Sequence, residues 1–479
     1  MVEPHERTQI YVDGGWSDPV QAENVPVIEA STGQPFGIVA LGGVADIDRA
    51  VAAARGALAG PWANWTPEER GVAVARFAAE LKARSRTTAA LVSRENGMPI
   101  SLSAIVNGIA PAVITKYYAS LAAGLASDDV RPSPTGGSTL VERAPVGVVA
   151  AITPWNYPQP LAIMKIAPAL VAGCTVILKP PPETALDAFA FAEAADAAGL
   201  PPGVLNVVPA GREAGAYLVE HHGVDKVAFT GSTTAGRMIG ATAGRLLRPA
   251  TLELGGKSVS LVADDADLDL FAAKLLEVSL PNNGQTCHAA TRILAPRSRY
   301  DQVVEAVTGT VGSLAVGDAL DPATQIGPLV SAAQRDRVLG YIDKGRGSAR
   351  LTTGGAAPDR AGWFVEPSVF ADVDNSSAIA QEEIFGPVLC VTPYETEDDA
   401  IAIANDSDFG LGGVVWSSDR DHGLALARRI RTGTVGVNHY ELHINAPFGG
   451  VGASGIGREL GPEGLEPYLV SKSIYLGAS

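Results

Sequence analysis

The sequence predicts an α/β protein built on a parallel, doubly wound sheet. Short, continuously apolar runs alternate with longer helical ones from residue 146 onward, and glycine or proline punctuates the joints. Ahead of that region, Gln9–Val12 reads as a short entry strand. Thr66-Pro67-Glu68-Glu69 reads as a capping box with proline at the first helical position, opening a helix through about Arg84. Val146–Ile152 then reads as a buried strand, Leu161–Val171 as a helix and Cys174–Leu178 as a second strand. Ala185–Ala198 is a helix stopped by Gly199 and Pro201, and Val204–Val208 is the third strand. Glu213–His221 (helix), Lys226–Thr230 (strand), Thr233–Ala243 (helix) and Ala250–Leu254 (strand) complete the alternation. Strands this apolar are buried on both faces, and right-handed crossovers join them. A second alternation from Ser258 to about Asn438 predicts another α/β domain, joined near Gly255-Gly256 by a short link.

Size and composition fit this reading. With 479 residues, 46% apolar and 18% charged, the chain is expected to hold two or three packed domains. The formal net charge of −16 disfavours phosphate backbones and anionic lipid, so neither nucleic acid nor membrane is an expected partner. Three cysteines cannot form a disulfide framework and suit a reducing compartment. Residues 1–18 show no apolar segment of a secretory signal. The apolar stretch Ile166–Leu178, broken only by Thr175, is 13 residues, short of the ~20 that span a bilayer. A soluble, cytoplasmic protein is therefore expected.

Open parallel sheets bind ligands beyond the carboxyl ends of their strands. The polar residues at those ends are Thr153-Pro154-Trp155-Asn156, Lys179, Gly231-Ser232 and Glu253, so they converge on one edge. Gly231-Ser232 sits in a strand, glycine turn and helix start, whose N–H groups and dipole suit a diphosphate. Lys179 either binds phosphate or ribose hydroxyls or carries its ammonium out to solvent. Glu253, in an apolar strand end, is either a general base with a raised pKa or the partner of Lys257. Cys287 lies in the polar segment Asn282-Asn283-Gly284-Gln285-Thr286-Cys287-His288, open to a substrate. Cys174 and Cys390 sit in apolar strands and read as buried hydrophobes. A thiol titrates near ~8.5, so nucleophilic use of Cys287 calls for a positive or dipolar setting. His439, Glu441 and His443 lack the spacing of a zinc motif, and no metal is expected.

These residues fall within eight segments that together resemble the NAD(P)-dependent aldehyde dehydrogenase superfamily. In order they are TPWNYP (153–158), LKP (178–180), FTGSTTAGR (229–237), LELGGKS (252–258), NGQTC (283–287), EEIFGPV (382–388), NDSDFGL (405–411) and PFGG…SGIGRE (447–459). The resemblance implies that Cys287 attacks the aldehyde carbon and that the Asn156 amide and the Cys287 N–H hold the resulting oxyanion. One such donor is worth ~3–4 kcal/mol of barrier. It further implies hydride transfer to the nicotinamide and hydrolysis of the acyl-thioester by water that Glu253 activates. Glu383 would hold the nicotinamide ribose and Phe385 pack beside the ring, although as plain sequence Glu383 is a surface residue before a turn. Lys179 and Ser232 would serve the adenosine ribose and diphosphate, with Thr153, Trp155 and Gly231 also in the cofactor site.

The implied fold is a Rossmann-type cofactor domain (1–121 and 144–255), an α/β catalytic domain (256–463) and a small β oligomerisation element (122–143 and 464–479). Tyr468–Leu476 is the exposed strand through which a homodimer or homotetramer would form. Pro182 replaces a frequent glutamate that chelates the adenosine ribose, so NADP use is plausible beside NAD. Gly452 and Gly436 stand where lysine and tryptophan are usual, both outside the nucleophile, base and oxyanion set. Tyr157, Leu161, Met164, Phe448 and residues 439–445 border the implied substrate tunnel; their apolar character fits a hydrophobic aldehyde or ordinary packing. A fold retained for binding alone is the alternative. The physiological aldehyde, the oligomer size and the resting state of Cys287 are not encoded legibly.

Overall fold

The computed structural model describes residues 5–125, 129–134 and 136–477. Its central sheet contains the five predicted strands: β1 (Val148–Ile152), β2 (Thr175–Lys179), β3 (Leu205–Val207), β4 (Lys226–Thr230) and β5 (Ala250–Glu253). They pair in parallel in the order β5-β4-β1-β2-β3. Every residue of β1, β2 and β4 is buried, as a sheet covered on both faces requires. The chain runs outward from β1 to β3 and returns to β4 on the other side of β1. That reversal leaves a crevice past Ile152 and Thr230. Short antiparallel strands extend the sheet to eight: Gly455–Ile456 beside β5, and Ile10–Val12 with Gly15–Ser17 beyond β3.

Helix α1 (Pro67–Asn96) starts at the predicted capping box, with Thr66 Oγ1 accepting from Glu69 N (3.2 Å) and Glu69 Oε2 from Thr66 N (2.8 Å). It runs past the expected end near Arg84. Thr88, Ala89, Val92 and Ser93 are buried along its inner face, and no breaker intervenes before Gly97, which takes φ +80° at the C-cap. Helix α2 (Pro158–Ala172) is buried at every residue, which explains why it is apolar all round. A helical run at Ile100–Leu125 is long and apolar enough, by length and composition, to cross a membrane. It packs on α1 and α2, burying Ala112, Ile114 and Tyr118, with Ile105 and Ile109 left outside.

The second alternation forms a seven-stranded sheet. From edge to edge its strands are Arg350–Thr353, Ser368–Ala371, Val388–Tyr394, Arg292–Pro296, Val259–Val262, Gly413–Trp416 and Gly436–Val437. All pairs but the first are parallel. The expected C-terminal strand is present as Leu469–Leu476. It pairs antiparallel with Ser138–Pro145, which in turn pairs with Asp129–Pro132. Of the expected oligomerisation element, residues 126–128, 135, 478 and 479 lie outside the described residues, as do residues 1–4 of the N-terminal segment. An unforeseen three-stranded sheet joins His5–Arg7, Gln34–Leu41 and Glu23–Glu29.

Candidate active site

The two large sheets present opposite ends to one another. Loops leaving the carboxyl ends of β1, β4 and β5 meet loops that enter the second sheet: Gly256-Lys257 ahead of Val259, Cys287 ahead of Arg292, and Glu383-Phe385 ahead of Val388. Between them lies a cavity of about 680 Å³. Trp155, Asn156, Gly231, Ser232, Cys287, Glu383 and Phe385 all line it. Thr153, Lys179 and Glu253 do not; they are buried just behind it, at 4%, 7% and 2% exposure. Arg237, Gln334 and Arg337 also line the cavity, and the sequence reading missed them.

The walls suit a dinucleotide. Helix α3 (Thr233–Arg245) points its N-terminus at the cavity, and Ser232 caps it by accepting from Ala235 N (3.3 Å). Thr233 and Thr234, whose first-turn N–H groups have no helical acceptor, line the cavity there. On the opposite wall Glu383 accepts from Gly256 N (3.0 Å), and the Trp155 and Phe385 rings meet edge to face at 5.3 Å. A side chain at Gly256 would collide with the Cys287 carbonyl, so that backbone approach requires glycine, while one at Gly255 would press on the movable end of Glu383. First-turn helix N–H groups, a carboxylate and an aromatic wall are thus present together.

A network of buried amides holds the thiol-bearing loop. Asn282 and Asn283 adopt left-handed backbone (φ +51° and +61°), which asparagine tolerates better than most residues. Asn283 Nδ2 donates to the carbonyls of Gly97 (2.9 Å) and Pro328 (2.8 Å), while its Oδ1 accepts from Gly327 N (2.6 Å). Asn282 and Asn96 both donate to the Asn156 carbonyl (3.0 and 2.9 Å). Asn156 Nδ2 donates to the Gln285 carbonyl (3.1 Å), leaving its second N–H for a ligand. The loop after β1 and the loop carrying Cys287 are therefore tied to each other and to the end of α1.

Cys287 is partly exposed, whereas Cys174 and Cys390 are buried, their thiols donating to the Tyr468 and Ile379 carbonyls. The setting expected for Cys287 was positive or dipolar; its charged neighbours are instead acidic. Burial, then the carboxylates of Glu383 and Glu253, push its thiol well above the usual range. Of the alternatives posed by the sequence for Glu253, the ion pair with Lys257 does not form, and neither of its oxygens has a hydrogen-bond partner among the described residues. Burial and Glu459 raise its pKa, while Lys165 and Arg458 oppose the rise. Lys165 and Glu459 form a fully buried ion pair (2.7 Å), and Lys165 also donates to Thr230 Oγ1 (2.6 Å). A lysine in the middle of the apolar Pro158–Ala172 helix was the available signal for this pair. Lys179 does not reach solvent; burial lowers its pKa to about 8. Burial raises Glu383 to about 7.

On the far side of Cys287, burial lowers His288 to about 4, so its imidazole is neutral at pH 7. Its ring stacks on Tyr440 at 5.2 Å and meets Phe448 edge-on at 6.0 Å. Tyr440 and Phe448, with Leu442, Pro447 and Leu460 and the polar Thr434, Glu441 and His443, line a cavity of about 190 Å³. Tyr157, Leu442, Ile444 and Cys287 pack against the same apolar cluster as Leu161, Met164 and Phe448. Of the three residues weighed for a metal, His439 instead bonds Glu441 (3.1 Å).

A dinucleotide cleft with one accessible thiol beside an unpaired buried carboxyl defines a cysteine-dependent oxidoreductase of the pyridine-nucleotide type. Comparison with known proteins narrows the class. The model of the aldehyde dehydrogenase family matches residues 16–474. Geranial dehydrogenase of Castellaniella defragrans is 54% identical over 474 residues, covering 98% of this chain and 99% of that one. The structure of a Mycobacterium tuberculosis aldehyde dehydrogenase complexed with NAD+ superposes with a TM-score of 0.97 at 46% identity, covering 99% of each chain. A variant of Pseudomonas syringae aldehyde dehydrogenase C, complexed with NAD+ and octanal, gives 0.95 at 39% identity over 99% and 98% of the two chains. This chain belongs to the aldehyde dehydrogenase family, and it oxidises an aldehyde to the carboxylic acid with NAD through the family's catalytic-cysteine mechanism.

Proposed function

We propose that Cys287 is the nucleophile, Glu253 the general base, and Asn156 with the Cys287 N–H the oxyanion site. The observation that carries this reading is that Cys287 alone among the three cysteines lines the dinucleotide cleft, with the unpartnered Glu253 carboxyl acting on it from behind. The thiol is protonated at rest, so its proton must pass to solvent water in the cleft as sulfur attacks. Sulfur adds to the carbonyl carbon, and the oxyanion takes the free Asn156 N–H and the Cys287 N–H. Bound in the cleft, with Glu383 and Ser232 holding its ribose and diphosphate ends, NAD supplies the two-electron acceptor for the hydride leaving that carbon. Glu253, whose basicity burial has raised, takes a proton from the water that attacks the thioester and returns it to the departing sulfur, so Cys287 leaves as thiol. Lys165 and Glu459 act through Glu253 as positioning residues, setting its charge. Replacing Cys287 with alanine is expected to abolish NADH formation with any aldehyde while NAD binding survives. Turnover retained in that variant contradicts the reading.

The substrate is a hydrophobic aldehyde of medium length. Support comes from the aromatic and aliphatic residues Tyr440, Leu442 and Phe448 on the His288 side of Cys287, and from relatives named for geranial or solved with octanal. Pro182 leaves no side-chain charge at the position of the ribose-chelating glutamate and thereby admits NADP. The division into a cofactor domain (1–121, 144–255), a catalytic domain (256–463) and an oligomerisation element (122–143, 464–479) follows the three main sheets. A homodimer or dimer of dimers fits the open edge of Leu469–Leu476 and the exposed Met238 and Leu247 (69% and 93%); sedimentation mass checks it. Three cysteines without disulfides support a cytoplasmic site of action.

A further inference from the structure

Two of the other buried lysines are tied: Lys165 to Glu459 and Thr230, and Lys226 to Thr251 Oγ1 (2.8 Å). Lys257 is different. It is 3% exposed, lies on the loop that touches both Cys287 and Glu383, and has no hydrogen bond or ion pair among the described residues. It lines a second, small cavity of about 10 Å³ together with Glu383, Thr286, Thr291 and Phe385. That volume is about one water, the smallest bridge two polar groups can share. An ammonium this buried is unfavourable unless another charge faces it.

We propose that Lys257 is a positioning residue that holds Glu383 charged and aimed into the dinucleotide cleft, and so sets the affinity for the nicotinamide ribose around neutral pH. The proposal rests on the reading of Glu383 as the ribose-binding carboxylate. Glu383 titrates at about 7 because burial raises it, while the Gly256 N–H, then Lys257 and Arg337, pull it down. Lys257 is thus the foremost charge favouring the carboxylate. The Arg337 guanidinium is occupied by the Glu383 main-chain carbonyl (2.7 Å), and the adjoining Glu382 accepts from Tyr341 (2.5 Å). The thiol of Cys287, across the loop, stays neutral. Lys257 is faced in turn by Cys390, Arg292, Glu383 and Glu382, of which Arg292 opposes its charge.

The test is the dissociation constant of NAD and of NADH, titrated from pH 6 to 9 on the full-length wild type, Lys257→Met, Lys257→Arg, Glu383→Gln and the double variant Lys257→Met/Glu383→Gln. An ionised carboxylate accepts ribose hydroxyls, so wild-type affinity is expected to improve as pH rises through about 7. Lys257→Met moves that midpoint upward. A shift of about one unit lowers the ionised fraction at pH 7 from about a half to about a tenth, a roughly fivefold loss of affinity that disappears by pH 9. Lys257→Arg keeps the wild-type midpoint, and the double variant binds like Glu383→Gln alone. Lys257→Gln serves as the neutral variant if methionine overfills the site and the protein fails to fold. An unchanged midpoint, a loss equal at every pH, or a double variant weaker than Glu383→Gln overturns the proposal. Should Glu383→Gln itself bind NAD with the wild-type pH profile, the ribose reading of Glu383 fails first, and that result is distinct from the others.

Discussion

At the scale of single residues, burial first, and then the carboxyls of Glu383 and Glu253, hold Cys287 as a neutral thiol. Removing one of the flanking charges lowers the thiol pKa, so Glu383→Gln is expected to speed alkylation of Cys287 by iodoacetamide at pH 8 several-fold; an unchanged rate argues against this electrostatic picture. Cys287 was legible because its segment is polar and carries glycine while the other two cysteines sit among valines. Glu253 was only half legible: an acid in an apolar strand end signals function or pairing, and only packing shows that neither oxygen is met. Glu459 lay inside a recognised motif without an assigned role, because its partner Lys165 is remote in sequence. The acidic surroundings of Cys287 were hidden for the same reason, since Glu383 and Glu253 reach it from different loops.

At the scale of elements, boundaries were legible where a local signal defines them. The Thr66 capping box opens α1 where predicted, and both reciprocal hydrogen bonds form. Thr66→Ala is expected to cost about 1 kcal/mol, read as a lower urea midpoint for unfolding with activity at 25 °C unchanged. The other end of α1 was misjudged because Arg84-Ser85-Arg86-Thr87-Thr88 reads as a polar stop, whereas burial of the following turns carries the helix to Asn96. This extension matters to the site: Asn96, the last helical residue, donates to the carbonyls of Trp155 (3.1 Å) and Asn156 (2.9 Å). Strand order β5-β4-β1-β2-β3 is set by which apolar faces pair at long range, so the strands were legible and their arrangement was not. The seven-stranded sheet was visible only as an alternation for the same reason.

At the scale of the whole molecule, the active site belongs to neither large sheet. It forms where the carboxyl ends of one meet the entering loops of the other, and the buried amides of Asn282, Asn283 and Asn156 hold that seam. The apolar chamber beside His288 and Tyr440 gives the substrate a length scale. Each methylene moved from water into it contributes about 0.8 kcal/mol, so kcat/KM is expected to rise roughly fourfold per carbon along a short aliphatic aldehyde series until the chamber is filled. A flat series, or preference for a charged aldehyde, argues against a hydrophobic substrate.

The account depends most on a covalent bond between the aldehyde carbon and one sulfur. With Glu253→Gln blocking thioester hydrolysis, the variant is mixed with NAD and octanal, quenched in acid, digested and analysed by mass spectrometry. The account predicts an octanoyl adduct on the peptide containing Cys287, formed together with one NADH per subunit. NADH formed without an acylated Cys287 peptide, or acylation of Cys174 or Cys390 instead, would contradict it.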